Sequence, residues 1–170
     1  VENYNRLVDS PLMYGSAETA TIQVGNTSVL IAVHSPNKVV SAAFLAEKIN
    51  GLLQAQGAYL GGTLPVNKYA FLVYLNDKRG VSGAQGALEH SYSSVYFMPE
   101  GNNDNTVQFL INVAAHEFFH ILTPLNVHSE EIHYFDFNQP KMSKHLWLYE
   151  GTTEYHAHLV QEKYGLTTKD

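Results

Sequence analysis

Four short stretches of the chain have the hydrophobic pattern of β-strands. Residues 19–24 and 28–34 place apolar or β-branched side chains at alternate positions, and the Gly-Asn pair at 25–26 between them is typical of a tight turn. Two later stretches, 69–75 and 93–98, are aromatic and aliphatic, as in buried strands. The pattern predicts a β-hairpin followed by two further strands.

Two longer segments carry apolar residues at the spacing of an α-helix. The first covers residues 39–56 and is expected to end at Gly57, because glycine is common just past a helix C-terminus. The second covers residues 143–164 and is expected to end at Gly165 for the same reason. The opening residues 5–18 show neither pattern and are predicted to be irregular.

Another helix is predicted between these two. It should begin in the Asn/Asp cluster at 102–105, where Asn105 and Gln108 have the spacing of a capping box, and run to about Leu122. Its apolar residues leave almost no polar face, so we expect this helix to be buried on most sides. The segment HEFFH lies in its last turns, at 116–120.

The segment HEFFH has the spacing of a zinc site. Positions four apart differ by about 40° around a helix, so His116 and His120 can both place a ring nitrogen on one Zn²⁺. Glu117 lies about 100° from His116, too far to bind the same metal but close to a water bound to it. The zinc would lower the pKa of that water and polarise a scissile carbonyl, while Glu117 takes the proton and passes it to the leaving amine.

A catalytic zinc site needs a third protein ligand. The metzincin pattern requires Gly at 123 and His at 126, where the chain has Thr123 and Asn126, so that class is excluded. Glu150 is favoured, because a carboxylate on an otherwise buried side of its helix needs a partner. The residues expected to share that side are Leu146, Trp147, Thr153 and Ala157. Three side chains in the preceding loop are further candidates: His128, His133 and Asp136.

Glu154 lies one helical turn beyond Glu150 and points to the same side. It can accept a hydrogen bond from the ring nitrogen of His116 that does not bind the metal. The alternative is an ordinary solvated glutamate on a helix surface.

Composition limits the classes of protein that fit. A chain of 170 residues, 45% hydrophobic and 15% charged, suits one globular domain over 1–170. A net charge of -6 with no basic stripe argues against nucleic-acid binding, and no apolar run reaches the length of about 18 residues that spans a bilayer. The absence of cysteine excludes thiolate metal ligands. We expect a soluble protein, with the periplasm or secretion among the compartments that fit the full-length form.

Five motifs, in order, resemble the glycyl aminopeptidase family of the gluzincins, the class of thermolysin and aminopeptidase N. They are LVDSPLMYG at 7–15, GALEH at 86–90, HEFFH at 116–120, FDF at 135–137 and LWLYEG at 146–151. The resemblance implies an α+β, thermolysin-like domain with a mixed sheet, an HExxH helix and a following helix that carries the third ligand, Glu150. It also implies that 1–170 is a fragment of a longer enzyme with a helical lobe and other domains.

The resemblance also assigns the segment GALEH to an edge strand beside the substrate. In related aminopeptidases the Glu of the matching motif binds the α-amine of the substrate, which implies this role for Glu89. Gly86 and Ala87 are small enough for the substrate backbone to approach closely, and His90 is expected to line the cleft. The implied partner is a peptide with a free N-terminus.

The sequence therefore predicts a zinc-dependent aminopeptidase with Glu117 as general base. Two alternatives stay open: a zinc endopeptidase, in which Glu89 meets no free amine, and a non-catalytic, zinc-stabilised module that holds peptides against an edge strand. Beyond Glu150, Tyr155 and Tyr164 do not match the residue with which gluzincins stabilise the oxyanion. Zinc binding does not by itself imply turnover.

Overall fold

A five-stranded mixed sheet forms the centre of the protein. The computed structural model describes residues 2–78, 83–101 and 104–167. The strands are β1 Glu18–Val24, β2 Thr27–His34, β3 Lys68–Asn76, β4 Gly86–His90 and β5 Ser93–Pro99. Their spatial order is β1-β2-β3-β5-β4, with the central pairs β2/β3 and β3/β5 parallel and the outer pairs antiparallel. The predicted α+β fold with a mixed sheet is confirmed.

The predicted hairpin and both later strands are present. β1 and β2 pair antiparallel from Val24 opposite Thr27, and Gly25 in the turn has a φ of 55°, which glycine adopts without strain. β4 forms an edge of the sheet, because it pairs only with β5 among the described residues. This is the strand that the resemblance to the glycyl aminopeptidases assigned to the edge.

Five helices are described. They are α1 Tyr4–Val8, α2 Ala42–Tyr59, α3 Asp104–Phe119, α4 Glu130–His133 and α5 Leu146–Lys163. The two shortest helices, α1 and α4, were not predicted, since four or five residues are too few to show a helical period. None of the described helices combines the length and the hydrophobicity needed to cross a bilayer.

Two predicted helix ends are wrong. α2 continues through Gly57, which packs against Val24, and ends before Gly61 and Gly62, whose φ angles are 86° and 85°. α3 ends at Phe119, after which the backbone tightens into i to i+3 hydrogen bonds. The predicted capping box at Asn105 and the first residues of the Asn/Asp cluster lie outside the described residues.

The main core lies between the sheet and the helices α2 and α3. Phe71 of β3 packs against Phe118 of α3, with ring centroids 6.2 Å apart, and the Tyr69 ring lies 5.0 Å from Phe118. The second half of α3 is therefore buried on nearly every side, as predicted, whereas its first half exposes Phe109. A smaller cluster, including Ala115 and Val160, joins α3 to α5.

Candidate metal centre and cleft

The packing of α3 against α5 brings three potential metal ligands together. The Nε2 atoms of His116 and His120 are 3.1 Å apart, and Glu150 Oε2 lies 3.1 Å from the first and 3.8 Å from the second. Donor atoms bound at about 2.1 Å in a tetrahedron lie about 3.4 Å apart, so the three atoms fit the corners of a zinc site. Two imidazoles and a carboxylate are also a ligand set that zinc accepts.

Both imidazoles are held by hydrogen bonds at their other nitrogen. His120 Nδ1 lies 2.7 Å from the carbonyl oxygen of Thr123, which can only accept, so Nδ1 carries the hydrogen. His116 Nδ1 lies 2.7 Å from Glu154 Oε2 and takes the same tautomer beside an ionised carboxylate. The two Nε2 lone pairs and Glu150 then face one another, an arrangement that a cation would stabilise.

Glu154 occupies the predicted position behind His116. Its other oxygen lies 2.9 Å from Nε2 of His158, a contact that sequence reasoning did not find. Burial raises the pKa of Glu154, but hydrogen bonds from His116 and His158 outweigh burial and lower it overall. The carboxylate is therefore ionised at neutral pH, as the tautomer of His116 requires.

Glu117 stands beside this cluster, in the buried last turns of α3. Burial raises its pKa to about 7, and the charges of Glu89 and Glu150 add to the rise. Its Oε2 atom is buried and has no hydrogen-bond partner among the described residues. Burying a carboxylate oxygen without a hydrogen-bond partner costs free energy, and a hydrogen bond from a bound water or from the substrate would remove this cost.

The edge strand β4 brings Glu89 to the same place. Donor atoms of Glu89, Glu117 and His120 all lie within 4.8 Å of one another. At the start of the strand, a Cβ atom added to Gly86 would have no heavy atom within 4 Å. Another backbone therefore has room to approach this end of the strand. All of the predicted substrate-contacting residues thus lie along one open edge.

His90 is anchored by Asp9, a residue to which sequence reasoning assigned no role. Asp9 Oδ1 lies 3.1 Å from Nδ1 of His90, and its Oδ2 accepts a hydrogen bond of 3.0 Å from the backbone N–H of Ser91. Burial raises the pKa of Asp9, but these hydrogen bonds outweigh it and lower the pKa. The signal was present in the motif LVDSPLMYG at 7–15, although its partner could not be read from the sequence.

The loop candidates for the third ligand form contacts of their own. His128 Nε2 lies 2.9 Å from Nδ1 of His133, and Asp136 accepts hydrogen bonds from the backbone N–H groups of 138 and 139. Within the described part of the chain, none of these three residues belongs to a group of three or more potential metal ligands. The geometry therefore favours Glu150.

One part of the argument for Glu150 from sequence is wrong. Leu146 and Trp147 were expected to share a buried side of the helix with Glu150, but they are 44% and 72% exposed. The other two residues expected on that side, Thr153 and Ala157, are buried as predicted, and Ala157 packs in the cluster that joins α5 to α3. Glu150 reaches the two histidines from a half-exposed position at the edge of that packing.

A cavity of about 700 Å³ opens beside His120 and Glu89. Its lining includes residues of the N-terminal segment that contains α1 and of the loop between α3 and α5. The cavity therefore adjoins the candidate metal centre along the carboxyl end of β4.

Two comparisons with known proteins find similarities to this chain. The family model of the M61 glycyl aminopeptidases matches residues 109–170, the part of the chain that carries His116, His120 and Glu150. The fold is similar to a crystal structure of an aminopeptidase N family protein from Idiomarina loihiensis, with a TM-score of 0.71 and 18% identity over 90% of this chain. The chain spans 26% of the length of that protein. No curated protein sequence matches significantly.

Proposed function

We propose, from the confirmed resemblance to the glycyl aminopeptidases, that residues 1–170 are the catalytic domain of a gluzincin zinc aminopeptidase. The observation that carries this proposal is the triangle formed by His116 Nε2, His120 Nε2 and Glu150 Oε2, with edges of 3.1, 3.1 and 3.8 Å. Three protein donors leave one position of a tetrahedron free, as in a catalytic rather than a structural zinc site.

The residues of the chain divide the chemistry between them. His116, His120 and Glu150 would hold the metal, which when bound activates a water and polarises the scissile carbonyl. Glu117 accepts the proton of the attacking water on its carboxylate and transfers it to the leaving amine. Glu154 holds His116 in the tautomer that leaves Nε2 free.

Glu89 would make the reaction an aminopeptidase reaction. Its carboxylate lies within 4.8 Å of the donor atoms of Glu117 and His120, close enough to hold a substrate ammonium beside the metal. The peptide backbone would lie along the open edge of β4 over Gly86 and Ala87, with His90 at its end. The first peptide bond is then the one nearest to Glu117.

Metal analysis and one substitution test the centre. The protein should bind one zinc per chain, and Glu117→Gln should keep this zinc but lower kcat by a factor of about 10² to 10⁴. Glu47→Gln, which changes an exposed glutamate of α2, is the matched control and should leave kcat unchanged. Normal activity of Glu117→Gln would refute the mechanism.

Blocking the substrate N-terminus tests the role of Glu89. Acetylated peptides should be hydrolysed at least 100-fold more slowly than free ones, and Glu89→Gln should raise KM for the free peptides. An endopeptidase would cleave both peptides at similar rates. A zinc-stabilised binding module would hold zinc without hydrolysing either peptide.

A further inference from the structure

We propose that the 700 Å³ cavity binds the side chain of the first substrate residue and selects a bulky aliphatic or aromatic one. This inference rests on the proposed function and adds the substrate class to it. Its starting point is the position of the cavity relative to Glu89 and the edge strand.

The direction of the bound peptide follows from the position of Glu89. Glu89 lies towards the carboxyl end of β4, so a peptide whose amine meets Glu89 must run antiparallel to the strand, towards Gly86. The cavity is lined by Leu88, Glu89 and His90 but not by Gly86 or Ala87. The cavity is therefore at the N-terminal end of the peptide, where the first side chain would enter it.

The chemistry of the cavity walls favours an apolar side chain. Several polar groups that line it already contact one another: Asp9 with His90, and His128 with His133. Three apolar lining side chains instead remain open to solvent, with Val8 42%, Leu88 56% and Phe137 45% exposed. A substrate side chain that covers them would remove apolar surface from water on both sides of the contact.

The size of the cavity argues against a preference for glycine, despite the name of the matched family. A glycine has no side chain and would leave the cavity open, whereas a phenylalanine or leucine can cover part of its apolar lining. Burial of such a side chain corresponds to a gain of about tenfold to 100-fold in binding. We expect kcat/KM or affinity for a peptide that begins with such a residue to exceed that for a peptide that begins with glycine by this factor.

Hydrolysis of three tripeptides tests the proposal. Phe-Ala-Ala and Leu-Ala-Ala should have kcat/KM values at least tenfold above Gly-Ala-Ala. Val8→Trp, which places a bulky side chain in the lining contributed by α1, should remove this difference. Leu7→Trp is the matched control, because Leu7 is also exposed on the same helix but does not line the cavity, and it should preserve the difference. Phe137→Ala, which removes part of the apolar lining, should weaken the preference.

Binding to the Glu117→Gln protein separates this inference from the proposed function. Calorimetric titration of the zinc-loaded variant with Phe-Ala-Ala and Gly-Ala-Ala should show at least tenfold tighter binding of the first, abolished by adding Val8→Trp. Equal affinities, or equal effects of Val8→Trp and Leu7→Trp, would overturn the inference even if hydrolysis occurs. Tighter binding of Phe-Ala-Ala without any hydrolysis by the wild type would refute the proposed function alone.

Discussion

Glu154 contacts the ring nitrogen of His116 that faces away from His120 and Glu150. Its contact of 2.7 Å with Nδ1 holds the hydrogen there, and it shares its charge with His158 at 2.9 Å. We expect Glu154→Ala to weaken zinc affinity by a factor of about 10 to 100, because the ring of His116 loses both its orientation and its preferred tautomer. Competition with a chromophoric chelator measures this affinity.

His158 provides the control for Glu154. His158→Ala removes the other partner of the same carboxylate but leaves its contact with His116, so zinc affinity should change little. If Glu154→Ala and wild type bind zinc equally well, the carboxylate does not position His116.

Asp9 links the N-terminal segment to the edge strand, and its effect should depend on pH. Its folded pKa lies below the ordinary value of 3.8, so folding stabilises the ionised form. This contribution is complete above the ordinary pKa and is lost as the pH falls through the lowered one. We expect Asp9→Ala to reduce the free energy of unfolding by about 1 kcal/mol at pH 7, a low value for a charged hydrogen bond because a third of the side chain is exposed.

Urea unfolding at pH 7, 5 and 3 measures the effect of Asp9→Ala. The difference from wild type should be full at pH 7 and 5 and should shrink at pH 3. Asp77→Ala, at an exposed position after β3, should show no comparable loss at any of these pH values. A loss that is equal at pH 7 and pH 3 would mean that the charge of Asp9 is not what stabilises the fold.

The separation of these residues along the chain explains which of them could be predicted. His116, Glu117 and His120 lie within five positions, so helix geometry alone relates them. The partner of His120 Nδ1 is the carbonyl of Thr123, which depends on how the backbone turns after α3. Asp9 meets a residue 81 positions away, a pairing that only the folded sheet creates.

At the scale of elements, α2 contains two glycines in different surroundings. A Cβ at Gly51 would have only a side-chain atom of Leu166 at 4.0 Å, whereas a Cβ at Gly57 would lie 3.0 Å from Cγ1 of the buried Val24. Alanine is favoured over glycine inside a helix by about 0.8–1 kcal/mol. We expect Gly51→Ala to raise the free energy of unfolding by up to this amount, and Gly57→Ala to lower it because the buried side chain of Val24 must shift to admit the methyl group.

Thermal and urea unfolding of the two glycine variants provide the measurement, with each variant serving as the control for the other. Since both glycines lie in one helix, the difference between the variants isolates the contact with Val24. Equal stabilisation by both substitutions would show that α2 can shift away from β1 at no cost.

The same glycine shows why one helix end could not be predicted. Gly57 has the local signature of a helix stop, but in the fold it allows close packing of α2 against β1, and the helix continues to Tyr59. The hairpin β1/β2 could be predicted because its turn lies in the sequence between its strands. The strand order could not be predicted, because β3 pairs with β5 and not with β4, the next strand in the sequence. No local sequence pattern shows that β4 lies at the edge, beyond β5.

At the scale of the whole molecule, a bound metal would join two helices that are far apart in the sequence. His116 of α3 and Glu150 of α5 are separated by 34 positions, and the unfolded chain does not hold their donor atoms together. A ligand that binds only the folded state stabilises it by about 2.7 kcal/mol when its free concentration is 100 times Kd. For a chain of this size the corresponding shift in Tm is roughly 5–10 °C.

Calorimetry of the zinc-loaded protein should therefore show a Tm that falls by roughly 5–10 °C when a chelator removes the metal. His116→Ala should melt at the same temperature with and without chelator, because one corner of the triangle is missing. His145→Ala, which changes an exposed histidine just before α5, should respond to the chelator as the wild type does. A wild-type Tm that is insensitive to chelator would mean that zinc does not connect α3 to α5, since any metal held by both helices must stabilise their packing.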